Sequence, residues 1–411
     1  MSLDLNAGAL SGVRVLDLSN FLAAPLASMF LSDFGADVLK VEQPVKGDEI
    51  RKWGDSKNGV GLYYKVVNRG KRSITLDLHT ELGVEAVKRL VAETDVVIEN
   101  YRTGTLEKWG IGYDTLLAIN PRLVMVRVTG FGQTGPYKDR PGFGTLAEAY
   151  AGYAHISGYP DQPPLLPGFG LADSTTGLMA AFLTLVALND TRRTGRGQMV
   201  DLAIYETLLT LLGPQVVNFA QLGLVQGRNG SRLPFTAPRK TYQTNDGRWV
   251  SIAGSAQSAF LRICSTLDIP EIAEDPRFAD NRQRLLNCGA LDDAIQAAVA
   301  RFDLPSLLER SAATQCTIAP VNDIAMIFDD EHIAARENIF SVYDPELAEP
   351  IRMQNVVGKL SGSPGAIKHA GPRLGEHNRA VLIDHLGYTE EALAAAGIAV
   401  DLAIENTASS V

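Results

Sequence analysis

The sequence predicts an α/β fold in which helices cover a parallel β-sheet. Over the first 135 residues, short apolar and β-branched segments alternate with segments whose apolar residues recur at helical spacing. This alternation is typical of parallel sheets with crossover helices. With 411 residues, of which 45% are hydrophobic, the chain can bury a large core and form about two to three domains.

Each predicted element of the sheet follows from a local pattern. Strands are expected at residues 13–18, 37–41, 73–77, 95–99 and 122–128, and helices at 25–34, 81–93 and 106–119. Gly35 is the expected end of the first helix, because glycine tolerates the left-handed backbone found after helix C-termini. The first third of the chain therefore supplies most of the predicted sheet.

The middle of the chain changes character after two apolar helices, expected over 176–190 and 202–219. Gly195 is the expected stop of the first of them. Residues 226–240 are rich in Gly, Arg, Asn and Pro and predict a linker, and residues 241–252 predict a β-hairpin. Further helices are expected at 256–267, 290–301, 305–313, 377–386 and 389–396. Residues 226–325, with the first three of these helices, predict a smaller α+β domain, and the last two helices belong to the C-terminal part of the chain.

Composition excludes several classes of protein. A net charge of −9 disfavours a protein whose main task is to neutralise nucleic-acid phosphates. Cys264, Cys288 and Cys316 lie far apart, which argues against a disulfide framework and a zinc site. The N-terminus lacks a secretory-signal pattern, and the longest uncharged apolar stretch, 177–188, is shorter than the roughly 20 residues that span a bilayer. We expect a soluble cytoplasmic protein that acts without a membrane.

Known motifs for other chemistries are absent or incomplete. Residues 130–135 match GxGxxG after a predicted strand, but the following residues 136–142 predict a loop, where a dinucleotide site needs a helix. We therefore interpret this match as a glycine-rich turn. The sequence has no Walker A motif, no GxSxG and no HExxH, so we expect no bound metal and no permanently bound cofactor.

Asp173 is the residue with the clearest chemical potential. It follows a segment rich in Gly and Pro and stands at the start of the longest apolar helix. One interpretation is an ordinary N-cap, in which the carboxylate accepts hydrogen bonds from first-turn N–H groups. The other is catalytic: the helix N-terminus keeps Asp173 ionised, and the carboxylate attacks an activated acyl group. Spacing alone favours the cap and leaves both open.

Seven blocks of sequence decide between these interpretations. They lie at residues 10–17, 33–42, 68–74, 95–101, 194–198, 275–278 and 375–377. With these blocks in this order, the chain resembles, nearly end to end, the class III CoA-transferases, the family of formyl-CoA transferase and carnitine CoA-transferase. Asp173 falls on the position of that family's catalytic aspartate.

The resemblance implies a mechanism and an architecture. Asp173 would form a mixed anhydride with the donor acyl group and then an aspartyl-CoA thioester, with coenzyme A as substrate and product. The implied fold is a Rossmann-like large domain plus a small domain, in an interlocked homodimer. We accordingly divide the chain into the first part of the large domain at 1–200, a linker helix at 201–225, the small α+β domain at 226–325, and a return linker with the rest of the large domain at 326–411.

The resemblance also implies a set of CoA contacts. They are Ala23, Gln43, Leu76, Asn100, Tyr101, Arg102, Lys108 and Phe143. Lys108 keeps a cation where the family often has Arg. Gln43 replaces a cation of the relatives, and Lys46 is a candidate to compensate. Lys40, Lys71 and Arg72 are expected either to bind phosphate or to be surface charges.

Two other functions are kept as alternatives. The same superfamily contains α-methylacyl-CoA racemase, in which the aspartate carries a proton and a histidine in the segment matching 141–144 is its partner. Here that position is Phe143, which cannot move a proton. The second alternative is a non-catalytic CoA-ester-binding subunit, against which the intact Asp173 argues.

The acceptor is indicated by weaker signals. The segment 253–258 lacks the glycine run of the formyl/oxalate branch, while residues 142–164 are similar to branches that use succinyl-CoA and dicarboxylic acids. A dicarboxylate needs a cation for its distal carboxylate, and Arg51 and Arg140 are the candidates. Glu148 is expected either to support the substrate site or to cap a helix. We thus expect an acyl-CoA donor and a dicarboxylic acid acceptor.

Overall fold

The computed structural model describes residues 8–400, which fall into two compact units. The first unit comprises residues 8–153, Leu166–Gly213 and 334–400, and the second comprises Ala154–Leu165 and Pro214–Ile333. These two units are defined by contacts within the chain. The domain limits expected from the sequence, at residues 200, 225 and 325, remain predictions.

The first unit begins with alternating strands and helices. Up to residue 211 the elements are β1 (Arg14–Asp17), α1 (Ala23–Asp33), β2 (Asp37–Glu42), β3 (Ser56–Lys57), β4 (Val60–Gly61), α2 (Leu62–Val67), β5 (Arg72–Thr75), α3 (Glu81–Val91), β6 (Val96–Glu99), α4 (Thr105–Lys108), α5 (Tyr113–Ile119), β7 (Val124–Thr129), α6 (Gly144–Tyr150), α7 (Tyr153–Ile156), α8 (Leu171–Thr194), β8 (Gln198–Ala203) and α9 (Ile204–Leu211). Of these, α7 belongs to the second unit except for its first residue. A short 3₁₀ helix, Glu49–Lys52, precedes β3.

Six of these strands form one parallel sheet in the order β5-β2-β1-β6-β7-β8. The α/β fold class predicted from the sequence is confirmed. The chain winds outward from β1 in one direction and then, from β6, in the other, which is the doubly wound arrangement. Ligands of such sheets bind beyond the carboxyl ends of the strands, where the order reverses, here between β1 and β6.

Both faces of the sheet are covered. Alternate residues of a strand point to opposite faces, so Val15 packs in the cluster that contains α1 and α8, while its neighbour Leu16 packs in the cluster that contains α3 and α5. Strands β6 and β7 are buried along their whole length. Burial on both faces explains why these strands have continuous apolar sequences rather than alternating ones.

Helix α8 starts five residues earlier than predicted. Its N-cap is Gly170 and its C-cap is Gly195, at φ 73°, so the predicted stop is confirmed. Gly177 lies where a Cβ would overlap the Leu26 side chain of α1, which lets the two helices approach closely. By length and composition α8 passes the test for a membrane span, but a soluble core helix passes it too, and part of α8 is buried in the sheet's core cluster.

Two sequence-based assignments in this unit are wrong. The helix predicted over 202–219 is strand β8, then α9, then a separate helix. Strand β8 was missed because it is a sheet edge with half-exposed residues, so its sequence lacks the apolar run of β7. The helix predicted over 106–119 is divided into α4 and α5 by Gly110, at φ 75°.

The second unit is mainly helical and has a small antiparallel sheet. Its elements are α10 (Gln215–Leu222), β9 (Arg239–Gln243), β10 (Trp249–Ala253), α11 (Gln257–Leu267), α12 (Pro270–Glu274), α13 (Asn281–Leu286), α14 (Cys288–Val299), α15 (Leu304–Thr314), β11 (Ile318–Pro320), α16 (Ile324–Asp329) and α17 (Glu331–Ala335), the last reaching into the first unit. The predicted hairpin is confirmed as β9 and β10, which β11 extends to three strands.

The C-terminal part returns to the first unit. It contains β12 (Ile339–Asp344), β13 (Glu349–Gln354), a π-helical segment at Arg379–His385 and α18 (Glu390–Ala395). The amide N–H of Thr75 in β5 donates to the Asn378 side chain, and the His377 N–H donates to the carbonyl of Ser73. Both ends of the described chain therefore build the first unit.

Candidate active site

A cavity of about 270 Å³ opens at the carboxyl ends of the central strands. Its walls come from the segments that follow β1, β6 and β7, together with residues 140–143 and Asp173 of α8. The strands on either side of the reversal, β1 and β6, both contribute. The cavity therefore lies where a doubly wound sheet is expected to bind its ligand.

Asp173 lies in the first turn of α8, and its carboxylate does not cap the helix. Gly170 occupies the cap position, so the N-cap interpretation is wrong. The carboxylate rests against the backbone of Gly144 at the start of α6, where a Cβ would overlap Oδ2. Within residues 8–400, no hydrogen bond or ion pair to this carboxylate is found. Its lone pairs are free for chemistry.

The ionisation of Asp173 differs from the expectation that the helix N-terminus would hold it charged. Burial raises the pKa of Asp173 to about 6, and the negative charge of Glu148 adds to the increase. A carboxyl group with this pKa is still about nine-tenths ionised at pH 7. It is also more basic, and therefore more nucleophilic, than an ordinary exposed aspartate.

Glu148 is buried on α6, and its carboxylate caps α8. Its Oε1 accepts a hydrogen bond from the amide N–H of Ala172 at 3.2 Å. Of the two roles expected from the sequence, the structure therefore supports helix capping. The amide that Glu148 caps belongs to Ala172, the residue immediately before Asp173 in α8.

Five of the predicted CoA contacts line the cavity together with Asp173. They are Ala23, Asn100, Tyr101, Arg102 and Phe143. Gln43 and Leu76 line a neighbouring groove of about 210 Å³, where Lys46 also lies. Tyr101 lines both hollows, so the two are adjacent. Lys108 is exposed and lines neither of them. The roles of these residues toward CoA stay predictions.

Asn100 has a structural task in addition to its place in the wall. Its Oδ1 accepts a hydrogen bond from the Asn20 N–H at 2.9 Å, and its Nδ2 donates to the Asn20 carbonyl at 2.7 Å. The next residue, Phe21, has a left-handed backbone at φ 64°, and its N–H donates to Asp48. Asn100 and Asp48 together hold a strained loop at the cavity.

The three cations considered for phosphate binding each form an ion pair with an acidic side chain. Lys40 is fully buried and pairs with Asp48 at 2.8 Å. Lys71 is fully buried and donates to Asp17, to Asn68 and to the Pro25 carbonyl. Arg72 forms a bidentate, partly exposed pair with Asp37. The phosphate-binding interpretation of these residues is therefore corrected: Lys40 and Lys71 are buried ion-pair partners, and Arg72 is a surface charge paired with Asp37.

Arg51 is also occupied. Its guanidinium binds both oxygens of the buried Glu42, at 2.7 and 2.8 Å, and donates to the Pro372 carbonyl. This pairing corrects the assignment of Arg51 to the distal carboxylate of a substrate. Arg140 remains available: it is exposed at the cavity, stacked over the ring of Tyr137 at 3.5 Å.

An aromatic cluster at the cavity was not predicted from the sequence. Phe21 makes edge contacts with Trp53 and Phe143, at centroid distances of 6.0 and 5.8 Å, and Trp53 stacks on Tyr63. Burial, and to a smaller extent the negative charge of Asp173, raise the pKa of Tyr63. Lys138 in the cavity wall was missed as well. Apart from Tyr63, which lies in α2, these residues belong to irregular segments, and none forms a motif.

The described residues, from 8 to 400, contain no group of three or more His, Cys, Asp or Glu side chains placed to hold a metal ion.

Comparison with known proteins identifies the family. A family model described as CoA-transferase family III matches residues 10–378. This match covers most of the first unit and the whole second unit, so it concerns the architecture rather than one motif.

Two curated relatives and one solved structure are similar over nearly the whole chain. Succinyl-CoA–D-citramalate CoA-transferase of Chloroflexus aurantiacus is 44% identical over 386 residues, which cover 94% of this chain and 96% of that protein. The β subunit of succinyl-CoA–L-malate CoA-transferase of Chloroflexus aurantiacus is 42% identical and covers 93% and 95%. The crystal structure of a CAIB/BAIF family protein from Brucella suis has a TM-score of 0.82 at 35% identity and covers 92% and 100%.

Proposed function

The chain belongs to CoA-transferase family III and is an acyl-CoA:carboxylate CoA-transferase, and we propose that it moves CoA from succinyl-CoA, or a similar dicarboxylyl-CoA, to a carboxylic acid through an aspartyl-CoA thioester on Asp173. One observation carries this proposal. Asp173 is a partly buried carboxylate without a hydrogen-bond partner among the described residues, set in the wall of the cavity. A partly desolvated, unpaired carboxylate is a strong nucleophile toward a thioester.

The proposed reaction needs no proton transfer. An Asp173 oxygen attacks the thioester carbonyl of the donor, and the CoA thiolate leaves, which forms a mixed anhydride. The thiolate then attacks the Asp173 carbonyl carbon and releases the donor acid as a carboxylate, which leaves the aspartyl-CoA thioester. The acceptor carboxylate repeats these two steps in reverse order. Asp173 returns to a free carboxylate, and charge is conserved throughout.

The cations of the cavity favour a dicarboxylic acid. Arg140 and Lys138 line its wall and are exposed, with no ion pair assigned to either in the described part of the chain. A monocarboxylate uses its one charged group in the reaction, whereas a dicarboxylate keeps a second charge for such a cation. Citramalate and malate, the acids named for the two curated relatives, are both dicarboxylates.

A homodimer is part of the proposal. The face of α8 away from the sheet exposes Leu178, Phe182, Leu185 and Val186. Apolar side chains of this size, contiguous on one helix, are typical of a surface that a partner covers. Light scattering on the purified chain is expected to give twice the mass of 44.3 kDa, and the monomer mass would contradict this part.

The mechanism is tested by trapping the intermediate. The protein is incubated with succinyl-CoA, treated with hydroxylamine or borohydride, digested and examined by mass spectrometry. We expect modification only on the peptide that contains Asp173. The matched control is Asp114→Asn, which removes an acid from the first turn of α5 and leaves the cavity unchanged. Absence of any modification with a pool of acyl-CoA donors would contradict the covalent mechanism.

The same sample separates the alternatives. Exchange of the α-proton of the acyl group in deuterated water would indicate the racemase chemistry, although Phe143 supplies no proton in the cavity wall. Transfer activity of this chain purified alone excludes a purely accessory subunit. That comparison is needed because the malate relative is one subunit of a larger enzyme.

A further inference from the structure

One face of α6 carries two features that act on the nucleophile. Gly144 and Glu148 are four residues apart, so they lie one above the other on the same side of the helix. At Gly144 the missing side chain lets the Asp173 carboxylate rest on the backbone. One turn later, Glu148 places a second, buried carboxylate beside the same stretch of α8.

Glu148 takes the hydrogen bond that a first-turn acid would otherwise compete for. Its Oε1 accepts from Ala172, whose N–H belongs to the positive end of a helix of 24 residues. Asp173 is in the same turn but accepts no hydrogen bond from that end. The helix terminus thus stabilises the charge of Glu148 and leaves the carboxylate of Asp173 unsupported.

We propose that Glu148 is a positioning residue of the transfer reaction: by occupying the N-terminal end of α8 and placing a buried negative charge beside Asp173, it keeps the nucleophilic carboxylate basic and free of hydrogen bonds. This inference rests on the proposed function. A more basic carboxylate attacks a thioester faster once it is ionised, because nucleophilicity rises with basicity.

The other groups around Asp173 act more weakly. Burial and the charge of Asp173 raise the pKa of Tyr63 of α2, and α9 contributes the apolar Ile204 to the cavity wall. The charged groups of the cavity, Glu49, Arg102, Lys138 and Arg140, are exposed, so that water and salt screen them. Glu148 is 3% exposed, and its effect on Asp173 is screened much less. Burial and Glu148 together account for the pKa of about 6.

The variant Glu148→Gln separates charge from capping. The glutamine amide oxygen can still accept from Ala172, while the negative charge is lost. We expect the acid limb of kcat/KM to move down by about half to one pH unit, because burial, the larger cause, remains. At pH 8, where both forms are ionised, we expect kcat to fall about two- to fivefold. The two profiles should therefore cross.

A titration that does not depend on activity completes the test. The ¹³C signal of the Asp173 carboxyl is followed by NMR in the wild type, in Glu148→Gln and in the control Glu85→Gln, an exposed acid on α3; Asp173→Asn assigns the signal. A midpoint near 6 that moves down only in Glu148→Gln supports the inference. An unchanged midpoint, or a wild-type midpoint near 4, overturns it, even if Glu148→Gln does not fold. Absence of transfer activity with the expected titration would overturn the proposed function alone.

Discussion

Two groups of buried charge in the first unit are built in opposite ways. Asp17 and Lys71 are fully buried, paired with each other and hydrogen-bonded further, and Lys40 pairs with Asp48. Asp173, by contrast, is partly buried and unpaired in the described chain. The first arrangement satisfies every charge and fixes the loops. The second leaves a charge unsatisfied, which costs stability and supplies reactivity.

The largest effect is expected from removing the unpaired charge. Asp173→Asn should lower kcat at least about 10³-fold, because an amide oxygen cannot form the anhydride. The same variant should be more stable than the wild type. Because the folded-state pKa is raised to about 6, the ionised form is penalised by folding, so the gain should be small at pH 4 and grow to about 3 kcal/mol at pH 7 and above. Urea unfolding at these pH values measures it, and a stability gain that shrinks with rising pH would contradict the assignment.

Removing one partner of the buried Asp17–Lys71 pair should lower the free energy of unfolding. Lys71→Met removes the partner of a fully buried Asp17, whose low pKa depends on Lys71 and Lys40. We expect a loss of about 3–5 kcal/mol in the free energy of unfolding. The double variant Asp17→Asn, Lys71→Met should recover part of this loss, since it leaves no uncompensated charge. A single variant within 1 kcal/mol of the wild type would show that the pair contributes little.

The position of the unpaired carboxylate can be changed without changing its charge. In Gly144→Ala, the new Cβ displaces the Asp173 carboxylate, and we expect kcat to fall about 10- to 100-fold with a smaller change in KM. Gly168→Ala is the matched control, because no atom lies within 4 Å of the added Cβ. Steady-state kinetics of both variants decide the point, and equal activities would refute the packing argument.

The smallest effect is expected at Arg140, which is exposed in the cavity wall. Arg140→Ala should raise KM for a dicarboxylate acceptor about tenfold and change KM for a monocarboxylate of the same length much less. A parallel loss with both acceptors would assign Arg140 to CoA instead. Arg140 is exposed at the cavity, whereas the guanidinium of Arg51 is paired with Glu42.

The sequence predicted the parts of the molecule that depend on local pattern. Strands such as β6 and β7 have continuous apolar runs because both faces are buried, and Gly195 ends α8 because it adopts a left-handed backbone. The edge strand β8 was missed because its half-exposed residues lack such a run. The seven sequence blocks identified Asp173 as the candidate nucleophile through the resemblance rather than through spacing, and Asp173 lies in the cavity wall.

The partners of the charged side chains could not be predicted. Lys40, Lys71 and Arg51 have the composition of a phosphate or carboxylate site, and only the three-dimensional structure reveals the acids that neutralise them. The opposite holds for Asp173, for which the informative fact is a missing partner among the described residues. Pairing is a property of distant contacts, since Lys71 and Asp17 are 54 residues apart.

The return of the C-terminal part to β5 has a consequence for synthesis of the protein. β5 is an outer strand of the sheet, and an uncovered outer strand is a template on which another chain can add. Its N–H groups at Ser73 and Thr75 are bonded by His377 and Asn378, about 300 residues further along. A ribosome must therefore release nearly the whole chain before this edge is protected. Nascent chains and products truncated before residue 377 should be the forms most prone to aggregate.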